Sequence, residues 1–455
     1  MNEPGRGTGK LVLLWPLLTA IALRLAALPL AASLPALGDS RGYLGLAREF
    51  RDTGTFRDTP SGIRPPLYRV LVAPGLDTSV DPSEPFPGVY LIQIATDVLA
   101  CALLMELARR RFGRRAAAAT GWLYALYPQA ILFSSTVILT EAPVCLVVAA
   151  ALLALGPLET PGAGGRRWLA ALRLGAVLGV GLLVKETVVL VVAAAALALL
   201  LQRDAAWRRL ATAGLVIAAA FAVTLPWGLN NLRQHGAFVA SGTFGDFSLL
   251  LENAPPGVDA WEVWGSQPDL ASRRSVAREA LRREIRQNPG RFAASALARL
   301  RVALGPELTV PAWLAWSRDG FPAGLRSVRD YVRAAWRLPR AGWGGLLQLA
   351  CGVSTVLFFA LACAGLGAAP SSLLRSVALI LAVLLLGALA LSAADSRYRH
   401  SLFPAMVPFA GLALAALTDR EGRTGPQAAA SRRLRVAAVA CAAVLAVTVF
   451  VLPAP

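Results

Sequence analysis

The sequence predicts an all-α integral membrane protein with about eleven transmembrane helices (ten to twelve) and amphipathic helices lying along the membrane surface. Three observations predict it. Of 455 residues, 56% are hydrophobic and 16% charged, where soluble proteins run at about a quarter charged. Several windows of about twenty residues carry almost no charge, which is the length that crosses a bilayer. Arginines crowd alternate short connections between those windows, as the positive-inside rule expects of cytoplasmic loops.

In chain order the expected spans are 11–36, 87–107, 116–134, 139–156, 168–184, 187–202, 209–227, 345–367, 373–393, 400–418 and 434–452. The first is too long for a signal-peptide core and runs into Asp39 without a cleavage site, so it reads as a transmembrane helix. Arg24 inside it is expected to face the bundle or to snorkel. Arg109, Arg110, Arg111, Arg114 and Arg115 follow the second span, Arg166 and Arg167 the fourth, Arg203, Arg208 and Arg209 the sixth, and Arg420, Arg423, Arg432, Arg433 and Arg435 the tenth. These loops and the N-terminus are therefore expected in the cytoplasm. Loops 37–86, 135–138, 185–186, 228–344 and 394–399 then face outward, and an odd number of spans puts the C-terminus outside. Residues 1–418 read as one transmembrane module, followed by a cytoplasmic linker and a last span within 419–455.

The first outer loop opens with one acid, Asp39, at the hydrocarbon edge. Tyr43, Ala47 and Phe50 recur at helical spacing with Arg41, Arg48 and Arg51 on other faces, which predicts a surface helix ended by Gly54. Arg64-Pro65-Pro66-Leu67-Tyr68 is then stiff and extended. In loop 228–344, Leu270–Gln287 and Arg291–Leu304 each show an apolar stripe among arginines, separated by Asn288-Pro289-Gly290. Two further surface helices are expected there. Trp313, Trp316 and Trp336 suit an interface.

The net charge of +18 invites a nucleic-acid reading. The placement of the arginines favours topology and contacts with anionic lipid or phosphate instead, so membrane lipids are the expected partners and nucleic acid is not. Five cysteines, at 101, 145, 351, 363 and 441, all lie in apolar runs without paired spacing and read as packing residues.

An ordered set of residues carries a family likeness. Asp39 with Tyr43 and Ala47 precedes Arg64-Pro65-Pro66-Leu67-Tyr68. Thr140-Glu141-Ala142-Pro143 opens a span. Leu225-Pro226-Trp227 leads to Asn231 and Gly236-Ala237-Phe238-Val239. Glu252-Asn253-Ala254-Pro255 and Ile285-Arg286-Gln287-Asn288-Pro289-Gly290-Arg291-Phe292 follow, and Arg397-Tyr398-Arg399 comes last. In this order the chain resembles the polytopic GT-C glycosyltransferases related to protein O-mannosyltransferases and aminoarabinose transferases. It departs from them at Asn230, where relatives often carry arginine, and at Ser40, where a second acid beside Asp39 is missing. The 455 residues show no large C-terminal soluble domain, so acceptor recognition is expected to fall to the loops or a partner.

The resemblance implies a hexosyl- or pentosyltransferase that moves a sugar from a polyprenyl-phosphate donor to a protein, lipid or polysaccharide acceptor at the outer face, with inversion. Such chemistry needs a carboxylate to take the acceptor proton and cations to offset the departing phosphate. Asp39 is the candidate base; its bland reading is an N-cap. Glu141 reads as a sugar contact, a metal ligand or an arginine partner, or simply as an acid favoured at a helix start. Lys185 reads as a phosphate ligand beside Glu186, or the two as an ion-paired inter-span turn. Arg397, Arg399 and His400, with Tyr398 between them, read as a phosphate clamp or as a loop anchor. Arg64 reads as a cavity residue or a solvated charge, and Tyr43 and Tyr68 as substrate contacts. A divalent ion held by Asp39, Glu141, His235 and His400 is conceivable on paper, but no ligand spacing supports it. Rival readings are a lipid or glycolipid flippase and a non-catalytic polyprenyl-phosphate scaffold. No repeated half supports the first of these.

Overall fold

The structure is a computed structural model that describes residues 8–31, 34, 38–56, 62–77, 86–159, 164–255, 257–307, 309–319, 334–335, 343–392, 395–418, 438–439 and 441–443. Trp336 and nearly all of the expected span 434–452 lie outside them.

Every extended element among the described residues is helical. In chain order they are α1 (Thr8–Ala31), α2 (Gly38–Thr53), α3 (Leu67–Val72), α4 (Pro87–Phe112), α5 (Arg114–Ala125), α6 (Pro128–Ser135), α7 (Glu141–Ala154), α8 (Gly164–Val184), α9 (Val189–Leu200) and α10 (Ala206–His235). The long loop then forms α11 (Phe244–Asn253), α12 (Ala260–Gly265), α13 (Leu270–Gln287), α14 (Pro289–Leu304) and α15 (Thr309–Asp319). The chain returns through α16 (Trp343–Ala368), α17 (Leu373–Leu391) and α18 (Phe403–Thr418). Among the described residues, seven helices are long and apolar enough to cross a membrane: α1, α4, α7 with its following turn, α8, α10, α16 and α17. The stretches Glu186–Leu200 and Phe403–Thr418 are apolar but shorter. The protein is a multi-pass membrane protein.

One expected span, 116–134, is two helices. Tyr127 is extended (φ −73°, ψ 111°) between α5 and α6, because Pro128 disfavours helical geometry in the residue before it. The break turns α6 so that Gln129 Nε2 reaches Thr355 Oγ1 (2.7 Å) and the Cys351 carbonyl (3.0 Å) on α16.

The apolar centre of the bundle is shared by α4, α5, α7, α8, α9, α10, α16, α17 and α18. Helices α8 and α10 meet closely along a stripe of small residues. A methyl at Gly175 would lie 2.4 Å from the Val216 carbonyl oxygen, and one at Gly179 2.7 Å from that of Ala220. Spacing of this kind lets helix backbones approach in lipid, where packing rather than water drives association.

Arg24 faces inward, as one of the two expected alternatives. It is fully buried, and its Nε donates to Asp97 Oδ2 at 2.6 Å, while Tyr124 Oη donates to Asp97 Oδ1 at 2.7 Å. Each charge alone costs several kcal/mol in the interior, and the pairing with its added hydrogen bonds offsets part of that cost. Outward faces stay apolar, with Trp15, Leu18 and Leu25 on α1 and Trp207, Leu210 and Phe221 on α10 exposed. By contrast α13 is a polar helix whose N-cap Asp269 accepts from Ser272 N.

Candidate active site

The C-terminal ends of α1 and α8 and the N-terminal ends of α7 and α18 meet at one end of the bundle, with α2 laid across it. A small cavity there is lined by Asp39, Tyr43, Arg64, Pro65, Leu139, Thr140, Glu141, Lys185, Glu186, Phe244, Arg397 and Tyr398.

Asp39 stands in the first turn of α2. Its Oδ1 accepts from Arg64 Nη2 at 2.7 Å and its Oδ2 from Arg397 Nη2 at 2.6 Å, so both oxygens face the cavity cations rather than capping the helix. Burial alone raises the Asp39 pKa, but the Arg397 and Arg64 guanidinium groups outweigh it and hold the carboxyl well below the usual carboxylate range. Arg64 lies between two aromatic rings, 4.6 Å from the Tyr43 centroid and 4.9 Å from that of Phe244, a cation–π sandwich that fixes the guanidinium plane.

Across the cavity, Glu141 opens α7 and Lys185 follows α8. Lys185 Nζ donates to Glu141 Oε1 at 2.8 Å and lies 5.3 Å from the Tyr398 ring centroid. Burial lowers the Lys185 pKa, yet Glu141 more than restores it, so the ammonium stays charged. The other oxygen, Glu141 Oε2, is buried without a hydrogen-bond partner among the described residues. Such an acceptor is costly unless something in the cavity meets it. The Tyr398 hydroxyl is pushed up to about 12 by burial, so it is a neutral donor.

Three cations (Arg64, Lys185, Arg397) and three acids (Asp39, Glu141, Glu186) line the cavity. Formal charge is balanced, so an anion that enters competes with carboxylates for the same cations.

The cavity wall is held by residues around the site, among them Trp227 and Asn231 of the sequence motifs. Trp227 Nε1 donates to the Ser241 carbonyl (2.8 Å) and Asn231 Nδ2 to that of Val239 (2.7 Å). This folds the turn after α10 back over the site. Thr243 N then donates to the Ile63 carbonyl (3.0 Å), and Ile63 N to Thr243 Oγ1 (3.0 Å), beside Arg64. Gly62 has φ 132°, and a methyl there would sit 2.5 Å from Thr243 Oγ1; a side chain would be refused on both grounds. Gln93 of α4 ties the opposite wall. Its Oε1 accepts from Tyr68 Oη (2.5 Å) and Leu139 N (3.1 Å), and its Nε2 donates to the Val137 carbonyl (2.9 Å).

Residues 78–229 match the protein family described as dolichyl-phosphate-mannose-protein mannosyltransferase. No curated protein matches the chain by sequence. Among solved structures, the oligosaccharyltransferase of Archaeoglobus fulgidus complexed with zinc and sulfate superimposes with a TM-score of 0.53 at 16% identity, over 96% of this chain and 52% of that one. The archaeal oligosaccharyltransferase AglB of the same organism, bound to an inhibitory peptide and a dolichol-phosphate, gives 0.53 at 16% identity over 98% and 56%. The chain has the GT-C fold. It spans about half the length of the oligosaccharyltransferase chains that it matches. ArnT of Cupriavidus metallidurans bound to undecaprenyl phosphate gives a TM-score of 0.41 at 18% identity, over 89% of this chain and 79% of that one.

Within this GT-C chain, eight of the eleven candidate residues named from the sequence line one cavity: Asp39, Tyr43, Arg64, Glu141, Lys185, Glu186, Arg397 and Tyr398. Three do not. Tyr68 stands behind Tyr43, edge-on at 4.8 Å. Arg399 is buried and turned away; it donates to the carbonyls of Ala303 (2.8 Å) and Gly305 and to Thr355 Oγ1. His400 packs face-on against Phe403 (5.4 Å) and edge-on against Phe133 (5.1 Å). Only Arg397 of the expected three-residue clamp reaches the cavity, because the 3-10 turn over Ser396–Ser401 puts successive side chains on different sides. His235 is exposed at the end of α10, and no three of His, Cys, Asp and Glu among the described residues could hold a metal ion.

Pro65, Leu139, Thr140 and Phe244 also line the cavity, roles that their positions in the sequence do not mark, and Gln93 supports it. A glutamine one helical turn before Asp97 in a largely apolar span was the available signal for Gln93.

Proposed function

We propose that the protein is an inverting membrane glycosyltransferase. It transfers a sugar from a polyprenyl-phosphate donor to an acceptor hydroxyl at the outer face of the cytoplasmic membrane, with Asp39 as general base. One observation carries the reading: in a GT-C fold, a carboxylate sits between two arginines in a cavity that also holds a lysine and an unpartnered carboxylate oxygen. A relative of the same fold has been solved with dolichol-phosphate bound, which supports a lipid-phosphate donor. The arginine clusters after α4, at the start of α8 and before α10 lie at the end of the bundle away from the cavity and favour its opening outward.

The resting arrangement masks the base, since a carboxylate held by two guanidinium groups is a poor proton acceptor. Donor binding changes this. A phosphodiester entering a charge-balanced cavity draws Arg397 and Arg64 toward its own oxygens, which suit the guanidinium fork. Asp39 loses its stabilising partners and its pKa rises. The acceptor oxygen then attacks the anomeric carbon from the face opposite the phosphate. As the new C–O bond forms, its proton passes to Asp39, and the bond from carbon to phosphate oxygen breaks with the electron pair leaving on the phosphate. Lys185, Arg397 and Arg64 stabilise that charge, and Glu141 Oε2 accepts from a sugar or acceptor hydroxyl.

Transfer by purified protein in nanodiscs tests this, with a panel of radiolabelled undecaprenyl-phosphate sugars and a membrane extract as acceptor source. Asp39→Asn is expected to lower turnover by about 100- to 10,000-fold, the usual weight of a general base, while the lipid phosphate still binds. Equal transfer by both proteins would remove Asp39 from the chemistry, and donor binding without transfer by the wild type would favour a scaffold.

A further inference from the structure

Glu307 belongs to none of the motifs and does not line the cavity, yet it is fully buried. It lies in the segment between α14 and α15. Its Oε1 accepts from Thr309 N at 2.9 Å and its Oε2 from Ser396 Oγ at 3.1 Å. Thr309 Oγ1 in turn donates to Asp395 Oδ1 at 3.2 Å. Asp395 caps the 3-10 turn by accepting from Arg397 N (3.0 Å), and its Oδ2 lies 2.9 Å from Arg397 Nε. The same arginine reaches Asp39 through Nη2. Two short bridges, one through Ser396 and one through Thr309 and Asp395, therefore connect Glu307 to the orientation of Arg397. Arg399 fastens the same turn to the same segment through the Ala303 and Gly305 carbonyls.

From this geometry we infer that Glu307 is a positioning residue: it sets how Arg397 divides itself between Asp395 and Asp39, and so how basic Asp39 is. The inference rests on the glycosyltransferase reading above. The charged and titratable groups facing Glu307 are Asp395 and Arg399 from the 3-10 turn region and Cys351 from α16. Burial and the neighbouring Asp395 push Glu307 up to about 7, with Arg399 opposing. Its charge therefore changes within the neutral range. Once ionised, it adds negative charge behind Arg397, which weakens the pull of that arginine on Asp39 and on a donor phosphate alike. Turnover rises through this pH window while donor affinity falls. A merely structural glutamate would move neither quantity with pH.

Three full-length proteins in nanodiscs test the inference: wild type, Glu307→Gln, and Ser396→Ala, which keeps the charge but breaks one bridge. The first readout is pH-difference infrared spectroscopy, which needs no turnover. A carboxylic-acid C=O band that titrates near neutrality is expected in wild type and Ser396→Ala and lost in Glu307→Gln. The second is the pH dependence of binding and turnover with undecaprenyl-phosphate-mannose, a diester donor. Wild type is expected to show opposite trends in kcat and donor affinity across the window, Glu307→Gln to show neither, and Ser396→Ala to show reduced trends. A band that persists in Glu307→Gln, or identical pH trends in binding by wild type and Glu307→Gln, overturns the proposal. Binding trends that follow the expectation without turnover by any protein would uphold the link to Arg397 and sink the transferase reading instead.

Discussion

At Asp39, burial and two arginines pull in opposite directions, and the arginines win. The sign of the pH effect follows. A carboxylate depressed in the folded state stabilises the protein above the ordinary carboxylate range, about pH 4, and that stability is lost as pH falls through the lower folded value. Wild type is therefore expected to melt above Asp39→Asn near neutrality, and the gap to close as the pH falls well below 4; thermal unfolding in detergent reads both. At Arg397 the fork matters as much as the charge. Arg397→Lys is expected to weaken binding of a lipid phosphate by about 10- to 100-fold, equivalent to the loss of one charge-assisted hydrogen bond, measured by titration of undecaprenyl phosphate. Arg24 gives a purely structural counterpart. Arg24→Met leaves Asp97 buried and unpaired and is expected to cost about 3–5 kcal/mol, whereas Arg24→Met with Asp97→Leu recovers most of it. Arg24 was conspicuous in the sequence as a lone charge in an apolar span. Its partner Asp97 stood in the middle of the next span, which holds one other acid, Glu106, near its end, but hydropathy does not say which faces of two helices meet.

Among the elements, the helices of the first and the long loop were legible as helices because strong punctuation bounds them. Gly54 follows α2, and Asn288-Pro289 separates α13 from α14. The break between α5 and α6 carried its signal too, in Pro128, yet continuous apolar composition across 116–134 outweighed it. Length and hydropathy measure how apolar a stretch is, and a proline kink leaves both unchanged. Close helix packing was hidden for a similar reason: Gly175 and Gly179 read as ordinary small residues until α10 was placed against them. Gly179→Leu is expected to force α8 and α10 apart. Because α10 carries Trp227 and Asn231, which hold the wall beside Arg64, the substitution is expected to lower both melting temperature and lipid-phosphate binding. A loss of stability with binding intact would separate the packing stripe from the site.

For the whole molecule, alternation of spans put Asp39, Glu141, Lys185 and the 395–400 cluster on or next to loops expected on the same side, and the structure brings most of them into one cavity. Their actual contacts were beyond reach. Asp39 and Arg397 are 358 residues apart in the chain, and no local pattern encodes a pairing at that distance. Nor could periodicity tell that Arg399 and His400, adjacent to Arg397, turn away from it. Orientation is open to a direct check. In a cysteine-free background, Arg278→Cys on the exposed side of α13 is expected to react with a membrane-impermeant maleimide added outside intact cells, and Arg110→Cys only after permeabilisation. On binding, the donor phosphate is expected to take over the arginines that hold Asp39. A structure of the nanodisc-embedded protein with undecaprenyl phosphate bound tests it most directly. Phosphate oxygens are expected within hydrogen-bonding distance of Arg397, with at least one Asp39 oxygen released into the cavity. A phosphate bound elsewhere, with Asp39 still bonded to both Arg64 and Arg397, would contradict it.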